Sequence, residues 1–282
     1  MIEFTGVTVQ YGARSVLRGI DLHIQAGQRV AVVGPNGAGK STLIRTLLAL
    51  APFGGSVRIN GHDARRDGLR ARALVGYVPQ TPFFPAALTA AEVVAYFQDL
   101  RGVPADPLPL LRLTGLEAAA GHAVRTFSGG MIRRLALATA RIGDPPVLLL
   151  DEPASQLDAA GERLVLEWLE AAGAEGRTVL LATHHLDGLG AAVDRVVLLE
   201  DGQVAADQSM AQLLARRWIE ITTPAPLPPD LPDSAQVVPG GNGRLRLRVP
   251  DAAVAEVLRA LADRLLHIHE PSLEDLLREE RR

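Results

Sequence analysis

The stretch Gly34-Pro35-Asn36-Gly37-Ala38-Gly39-Lys40-Ser41-Thr42 constrains this chain more than any other. It follows a short apolar run, Arg29-Val30-Ala31-Val32-Val33, and leads into helical patterning from Ser41 to Leu50. Strand, glycine loop, helix is the context in which G-x-x-x-x-G-K-S forms a phosphate-binding loop. In such a loop the backbone N–H groups cradle phosphates, the lysine reaches the outer phosphates, and the next hydroxyl holds Mg²⁺. Of the 29 lysine and arginine residues, Lys40 is the one lysine. An arginine-biased composition explains the others but not where the exception falls. Lysine is a compact, mobile point charge, whereas arginine is a planar fork. The loop therefore predicts nucleotide binding, with Gly34 through Thr42 around the phosphates and Ser41 on the metal.

Two further stretches carry chemistry. Val147-Leu148-Leu149-Leu150-Asp151-Glu152 is an apolar strand delivering two carboxylates to a sheet edge. In isolation these would be solvated acids at a strand end. Downstream of a phosphate loop, Asp151 is placed to reach Mg²⁺ and Glu152 to hold an attacking water. Phe127-Ser128-Gly129-Gly130-Met131 precedes a helical pattern. Read alone, Ser128 is an N-cap followed by a turn. Its position between the other two motifs makes Ser128, Gly129 and Gly130 a second phosphate-shaped site.

The 282 residues allow one large or two modest domains. Strands are expected over the first ten residues, around Ile20 to Ile24, and at Arg29–Val33, with an edge strand at Val57–Ile59. Prolines 79, 82 and 85 then interrupt the chain, and helical patterns follow at Thr89–Leu100, Leu108–Leu116 and after Ser128. This reads as a helical subdomain over about 81–145, inserted in a sheet domain. The sheet resumes at Val147–Asp151, Val179–Thr183 and Val196–Leu199, and Asp201-Gly202 signals a hairpin. Near residue 218 the composition shifts. Five prolines lie between Pro224 and Pro232, which excludes helix and central strand there. The alternation at Arg244–Val249, a helix from Ala252 to about Leu266, and a short last helix from Pro271 suggest a small α+β unit.

Net charge is −3, so no global basic field points to nucleic acid or anionic lipid. The absence of cysteine excludes disulfides and thiolate metal sites. No apolar run approaches the roughly 20 residues of a transmembrane helix, and no signal peptide opens the sequence. Any membrane role is expected to need a partner. His267 and His269 share one strand face and could ligate a metal, but no third ligand is near, and His23, His62 and His122 read as surface residues. The Arg244/Arg246/Arg248 stripe reads as a solvated strand face, with lipid or partner contact the alternative.

These motifs, in this order, resemble the nucleotide-binding subunit of an ABC transporter over roughly residues 2–215. The resemblance implies a P-loop ABC-type ATPase domain at residues 1–217. That fold has a mixed sheet core, an antiparallel β subdomain and an inserted helical subdomain. A C-terminal α+β extension would fill 218–282, with its Pro-rich segment at 224–232. It also implies ATP and Mg²⁺ as ligands, and a second copy closing head-to-tail, so that Ser128, Gly129 and Gly130 face the nucleotide on the partner's Lys40. Other positions follow the family. Tyr11 resembles the aromatic that stacks on adenine. Gln80 resembles the glutamine that touches Mg²⁺ and the attacking water and links to the transmembrane partner. Asp158, in Ser155-Gln156-Leu157-Asp158, resembles the loop that crosses the dimer interface, and His184 the histidine on the γ-phosphate.

Two departures stand out: Met131 replaces the usual glutamine, and Gln156 a usual small residue. The first removes a polar contact and weakens the case for tight dimerisation; the second leaves interface details open. The tail Ile268-His269-Glu270-Pro271-Ser272-Leu273-Glu274-Asp275-Leu276 resembles the extension of ABC-2-type exporter ATPases. The implied function is an Mg²⁺-dependent ATPase that powers a separate transmembrane permease, is cytoplasmic, and is peripheral on the inner face of the membrane through that permease. The transport direction rests on the tail alone. A soluble ABC ATPase acting on ribosomes or nucleic acid is the rival reading. The single nucleotide domain, the lack of long coiled coils and the absence of a basic excess argue against it. A non-hydrolysing ATP sensor is opposed by Glu152 and His184.

Overall fold

The computed structural model describes residues 1–155, 157–184, 186, 188–215, 218–224, 226–227, 231–233, 235–238, 244–250, 253–261, 267–269 and 277. The chain divides into two compact units, Met1–Asp207 and Gln208–Arg282. The division falls before the short helix Met210–Ala215, whereas composition alone shifts nearer residue 218.

The first unit opens with β1 (Ile2–Tyr11) and β2 (Arg14–Ile24), an antiparallel pair. Then come β3 (Arg29–Val33), α1 (Lys40–Leu47), β4 (Gly54–Ile59), β5 (His62–Asp63), α2 (Gly68–Ala73) and β6 (Val75–Val78). Three helices follow: α3 (Ala90–Leu100), α4 (Leu108–Leu113) and α5 (Gly129–Ala140). The chain continues with β7 (Val147–Asp151), α6 (Ala159–Ala174), β8 (Thr178–Ala182), β9 (Arg195–Glu200) and β10 (Gln203–Ser209), whose last two residues fall past the division. One sheet has the order β2-β1-β4-β5 and the other β10-β9-β3-β8-β7-β6. Within the second, β9, β3, β8, β7 and β6 run parallel. Parallel strands buried on both faces read as continuous apolar runs, as β7, β8 and β9 do.

The strand expected at an edge, β4, is interior, flanked by β1 and β5. Ile59 and Asn60 lead directly into a turn, and the two-residue β5 that folds back takes the edge. Helix α1 stops at Leu47, earlier than the patterning suggests, because Ala49 turns to φ 55° just ahead of Pro52. Asp201 and Gly202 both have positive φ, 48° and 75°, the requirement of a type I′ hairpin turn between β9 and β10. Helices α3, α4 and α5 lie in sequence between β6 and β7, which are neighbours in the sheet. Thr89 caps α3 through a reciprocal box: its hydroxyl accepts from Glu92 N–H at 3.2 Å, and Glu92 accepts from Thr89 N–H at 2.7 Å.

One apolar core joins the two sheets through α1. It includes Ile2 and Phe4 of β1, Val30 and Val32 of β3, Leu43 and Leu47 of α1, and Leu149 of β7. Each such side chain contributes roughly 1.5–3 kcal/mol on burial. The core therefore clamps the glycine loop between β3 and α1 at both ends.

The second unit contains α7 (Met210–Ala215), β11 (Trp218–Pro224), β12 (Gln236–Val238), β13 (Arg244–Pro250), α8 (Val254–Ala260) and β14 (His267–His269). Its sheet order is β12-β13-β11-β14, and α8 follows β13 in its α+β arrangement. Ile221, Leu247 and Val249 pack with Val257 and Leu261 to form a separate small core. On the other face Arg246 pairs with Glu220 at 3.4 Å. Apart from the helical Leu277, the expected last helix from Pro271 lies outside the described residues, as do the tail motif beyond His269 and most of the proline stretch. No helix of the described residues is long and apolar enough to cross a membrane, and no group of three or more of their His, Asp and Glu side chains is arranged to hold a metal ion.

Candidate functional site

The C-terminal ends of β3, β7 and β8 deliver the site. Gly34 leaves β3 at φ 148°, and a Cβ there would sit 2.1 Å from the Leu199 carbonyl oxygen. Gly39, at φ 108°, is the N-cap of α1, and a Cβ on it would press on Leu17. Only glycine satisfies both positions, so the loop wraps closely with its backbone N–H groups at a helix N-terminus.

Lys40 opens α1 and is 6 % exposed. Its Nζ donates to the Gly34 carbonyl at 2.7 Å and the Pro35 carbonyl at 3.2 Å, and lies 3.9 Å from Glu152 Oε1. Burial lowers the pKa of this ammonium, against the pull of Glu152 and Asp151. Ser41 Oγ donates to Asp151 Oδ1 at 2.8 Å. The other oxygen, Asp151 Oδ2, is buried and has no hydrogen-bond partner. Burial raises the Asp151 pKa; the Ser41 bond opposes it and neighbouring Glu152 adds to it.

A hydroxyl and a buried carboxylate with an orphaned oxygen form an all-oxygen donor set suited to Mg²⁺, which keeps several waters beside one or two carboxylates. The residues therefore fit the metal that the motif implies.

Glu152 follows at φ 52°, a left-handed conformation that costs about 1–3 kcal/mol for a residue with a side chain. Three hydrogen bonds hold it there. Its N–H donates to Ala182 O at 2.8 Å, and its carbonyl accepts from Ser155 N–H at 3.2 Å and Ser155 Oγ at 2.9 Å. The twist turns the Glu152 side chain onto His184, whose Nδ1 is 2.7 Å from Oε2. Glu152, His184, Gln80, Asn36 and Gly129 share the wall of one cavity of about 890 Å³.

The remaining expected residues occupy other places. Tyr11 ends β1 and is half-exposed. Ser128 is the N-cap of α5, accepting from Met131 N–H at 3.2 Å. Asp158 is the N-cap of α6, accepting from Gly161 N–H at 2.8 Å. Gln156 lies outside the described residues. One residue that the sequence did not single out also belongs here. Arg133, buried in α5, donates to the backbone of Pro79 and Gln80 and to Ser155, and Ser155 bonds the Glu152 carbonyl. An arginine on the apolar face of a helix was the available signal.

The family model described as ABC transporter matches residues 17–155. Nod factor export ATP-binding protein I of Paraburkholderia xenovorans (strain LB400) is 37% identical over 236 residues, covering 80% of this chain and 78% of that protein. The chain belongs to the ABC transporter ATP-binding family. Among solved structures, the dimeric ATP-binding cassette MJ0796, in a post-hydrolysis state bound to ADP and Pi, aligns with a TM-score of 0.68 at 26% identity, covering 74% of this chain and 99% of that one. A bacterial Atm1-family ABC exporter with ATP bound aligns with a TM-score of 0.68 at 29% identity, covering 76% of this chain and 39% of that one. As an ABC ATPase, the chain binds and hydrolyses ATP as a subunit of a transporter. Its P-loop fold, with one mixed and one antiparallel sheet, is the cassette fold that the sequence implies.

Proposed function

We propose that this ABC ATPase powers export through a separate transmembrane permease, with two copies closing head-to-tail over two ATP molecules. The observation behind the catalytic reading is the Ser41–Asp151 and Glu152–His184 pairing at the mouth of the glycine loop. The loop amides from Gly34 to Thr42 and Lys40 hold the β- and γ-phosphates, and Tyr11 stacks on adenine. The Lys40 ammonium exchanges its Gly34 and Pro35 carbonyls for phosphate oxygens. Ser41 and Asp151, with Gln80, hold Mg²⁺, which when bound neutralises charge on the β- and γ-phosphates.

Glu152 accepts a proton from the attacking water as the water oxygen bonds to the γ-phosphorus. The bond from that phosphorus to the bridging oxygen of ADP breaks. His184 fixes the Glu152 carboxylate and stands beside the γ-phosphate. A positioned general base is typically worth about 10²–10⁴-fold.

Gly129 supports the head-to-tail arrangement. It has no positive φ, and a Cβ on it would meet nothing within 4 Å. Nothing within one copy demands glycine there, whereas a nucleotide approaching from a second copy would. Asp158, at the start of α6, lies in the loop assigned to the same interface. Residues 1–217 form the ATPase domain on this reading, with the helical subdomain at about 81–145 and the extension beyond. The export direction is supported by the relative from Paraburkholderia xenovorans, which is named for export, and by the tail motif. The permease places the chain on the cytoplasmic face of the membrane.

Light scattering tests the closure. Glu152→Gln protein is expected to become dimeric with ATP and Mg²⁺, and Gly129→Asp in that background to stay monomeric. A Gly129→Asp, Glu152→Gln protein that dimerises as readily would remove the Ser128-Gly129-Gly130 stretch, the signature segment, from the interface.

A further inference from the structure

Arg133 is one turn into α5 and only 5 % exposed. Its partners are three neutral oxygens on two other segments. Nη1 donates to Pro79 O at 3.2 Å, and Nη2 donates to Gln80 O and to Ser155 Oγ, both at 2.9 Å. Ser155 Oγ in turn donates a hydrogen bond to the Glu152 carbonyl at 2.9 Å. We infer that Arg133 is a positioning residue for ATP hydrolysis, tying the signature helix, the backbone of Gln80 and the turn that carries Glu152 into one unit through a single guanidinium.

A buried cation is costly unless its donors are satisfied, and an apolar side chain would pack against this face at less cost. The group is suited to something apolar packing cannot do. A planar fork spans two consecutive carbonyls and a hydroxyl on a separate turn, a geometry that a lysine ammonium does not reproduce. The turn it reaches is the strained one, with Glu152 at φ 52°. The helix it projects from begins with Ser128, Gly129 and Gly130, so the orientation of that helix is transmitted to Glu152 and Gln80 together. Reacting groups displaced by about 1 Å can cost about 10²-fold in rate, which is the scale on which such a link would act. The inference rests on the proposed roles of Glu152 and Gln80.

The test is steady-state ATP hydrolysis by the full chain, with ATP affinity measured separately. Arg133→Met is expected to lower kcat about 10–100-fold with KM and ATP affinity within about threefold. Arg133→Lys should recover only part of that loss. Ser155→Ala should lower kcat about 3–10-fold, and the double variant should be no slower than Arg133→Met alone, because coupled residues are non-additive. A kcat near wild type in Arg133→Met, a loss confined to KM, or full additivity with Ser155→Ala would overturn the inference. If Arg133→Met does not fold by circular dichroism, Ser155→Ala decides, and an unchanged kcat counts against the link. Glu152→Gln, run alongside, separates the two failures. An inactive Glu152→Gln beside a fully active Arg133→Met sinks only the Arg133 link. A fully active Glu152→Gln sinks the reading beneath it.

Discussion

At the scale of single residues, the buried carboxylate of the site holds its charge at a cost to folding. Asp151 is 1 % exposed, with one oxygen on Ser41 and the other unpartnered. Burial holds its pKa above the ordinary value of 3.8. The folded protein therefore binds that proton more tightly than the unfolded chain does. By linkage, stability falls as pH rises from the ordinary value through the raised folded one, and the deficit persists at neutral pH. Asp151→Asn removes the charge and keeps an oxygen for Ser41. It should raise the melting temperature of the nucleotide-free protein at pH 7, at about 2–4 °C per kcal/mol for a domain of this size, while abolishing Mg²⁺-dependent turnover. A lower melting temperature would show that the buried carboxylate is stabilising. Lys40→Ala should weaken ATP binding by at least about tenfold, the loss of one charge-assisted hydrogen bond of roughly 1.5–3 kcal/mol. Isothermal titration with unchanged affinity would remove Lys40 from the phosphate site.

Among the elements, the parallel strands and the helix after the glycine loop were legible because their signals are local: continuous apolar runs bounded by glycine and acid. The short α2 and β5 carry no periodicity to read. Helix α6 is different. Its buried Val165, Trp168, Leu169 and Ala172 fall at i, i+3, i+4 and i+7, with Asp158 as N-cap, so its signal is present in the sequence. The glycine loop, Asp151 and Glu152 were legible as motifs. The role of Arg133 was not, because its partners come from Pro79, Gln80 and Ser155, far along the chain. Gly76 shows how tightly α5 is set on β6: a Cβ there would lie 1.9 Å from the Ala140 carbonyl oxygen. Gly76→Ala should destabilise the protein by roughly 1–3 kcal/mol, as overpacking does, and should lower turnover more than ATP affinity because α5 carries the signature segment. Chemical denaturation with an unchanged midpoint would contradict this packing.

On the scale of the whole molecule, the chemistry sits in Met1–Asp207, while the second unit has its own core of Ile221, Leu247, Val249, Val257 and Leu261. Its α+β character was readable from the alternation of Arg244 to Val249, whereas the boundary was blurred by α7, which precedes the proline stretch. The proposed head-to-tail pair would hold each nucleotide between the glycine loop of one copy and the Ser128 segment of the other. Turnover is then a property of two copies. The claim on which this depends is that Glu152 drives hydrolysis without being needed for binding. Mg²⁺-dependent phosphate release, measured with ATP affinity for wild type and Glu152→Gln, tests it most directly. Wild type should release phosphate only with Mg²⁺, and Glu152→Gln should lose about 10²-fold or more of that rate with ATP affinity retained. Near-normal release by Glu152→Gln would contradict it.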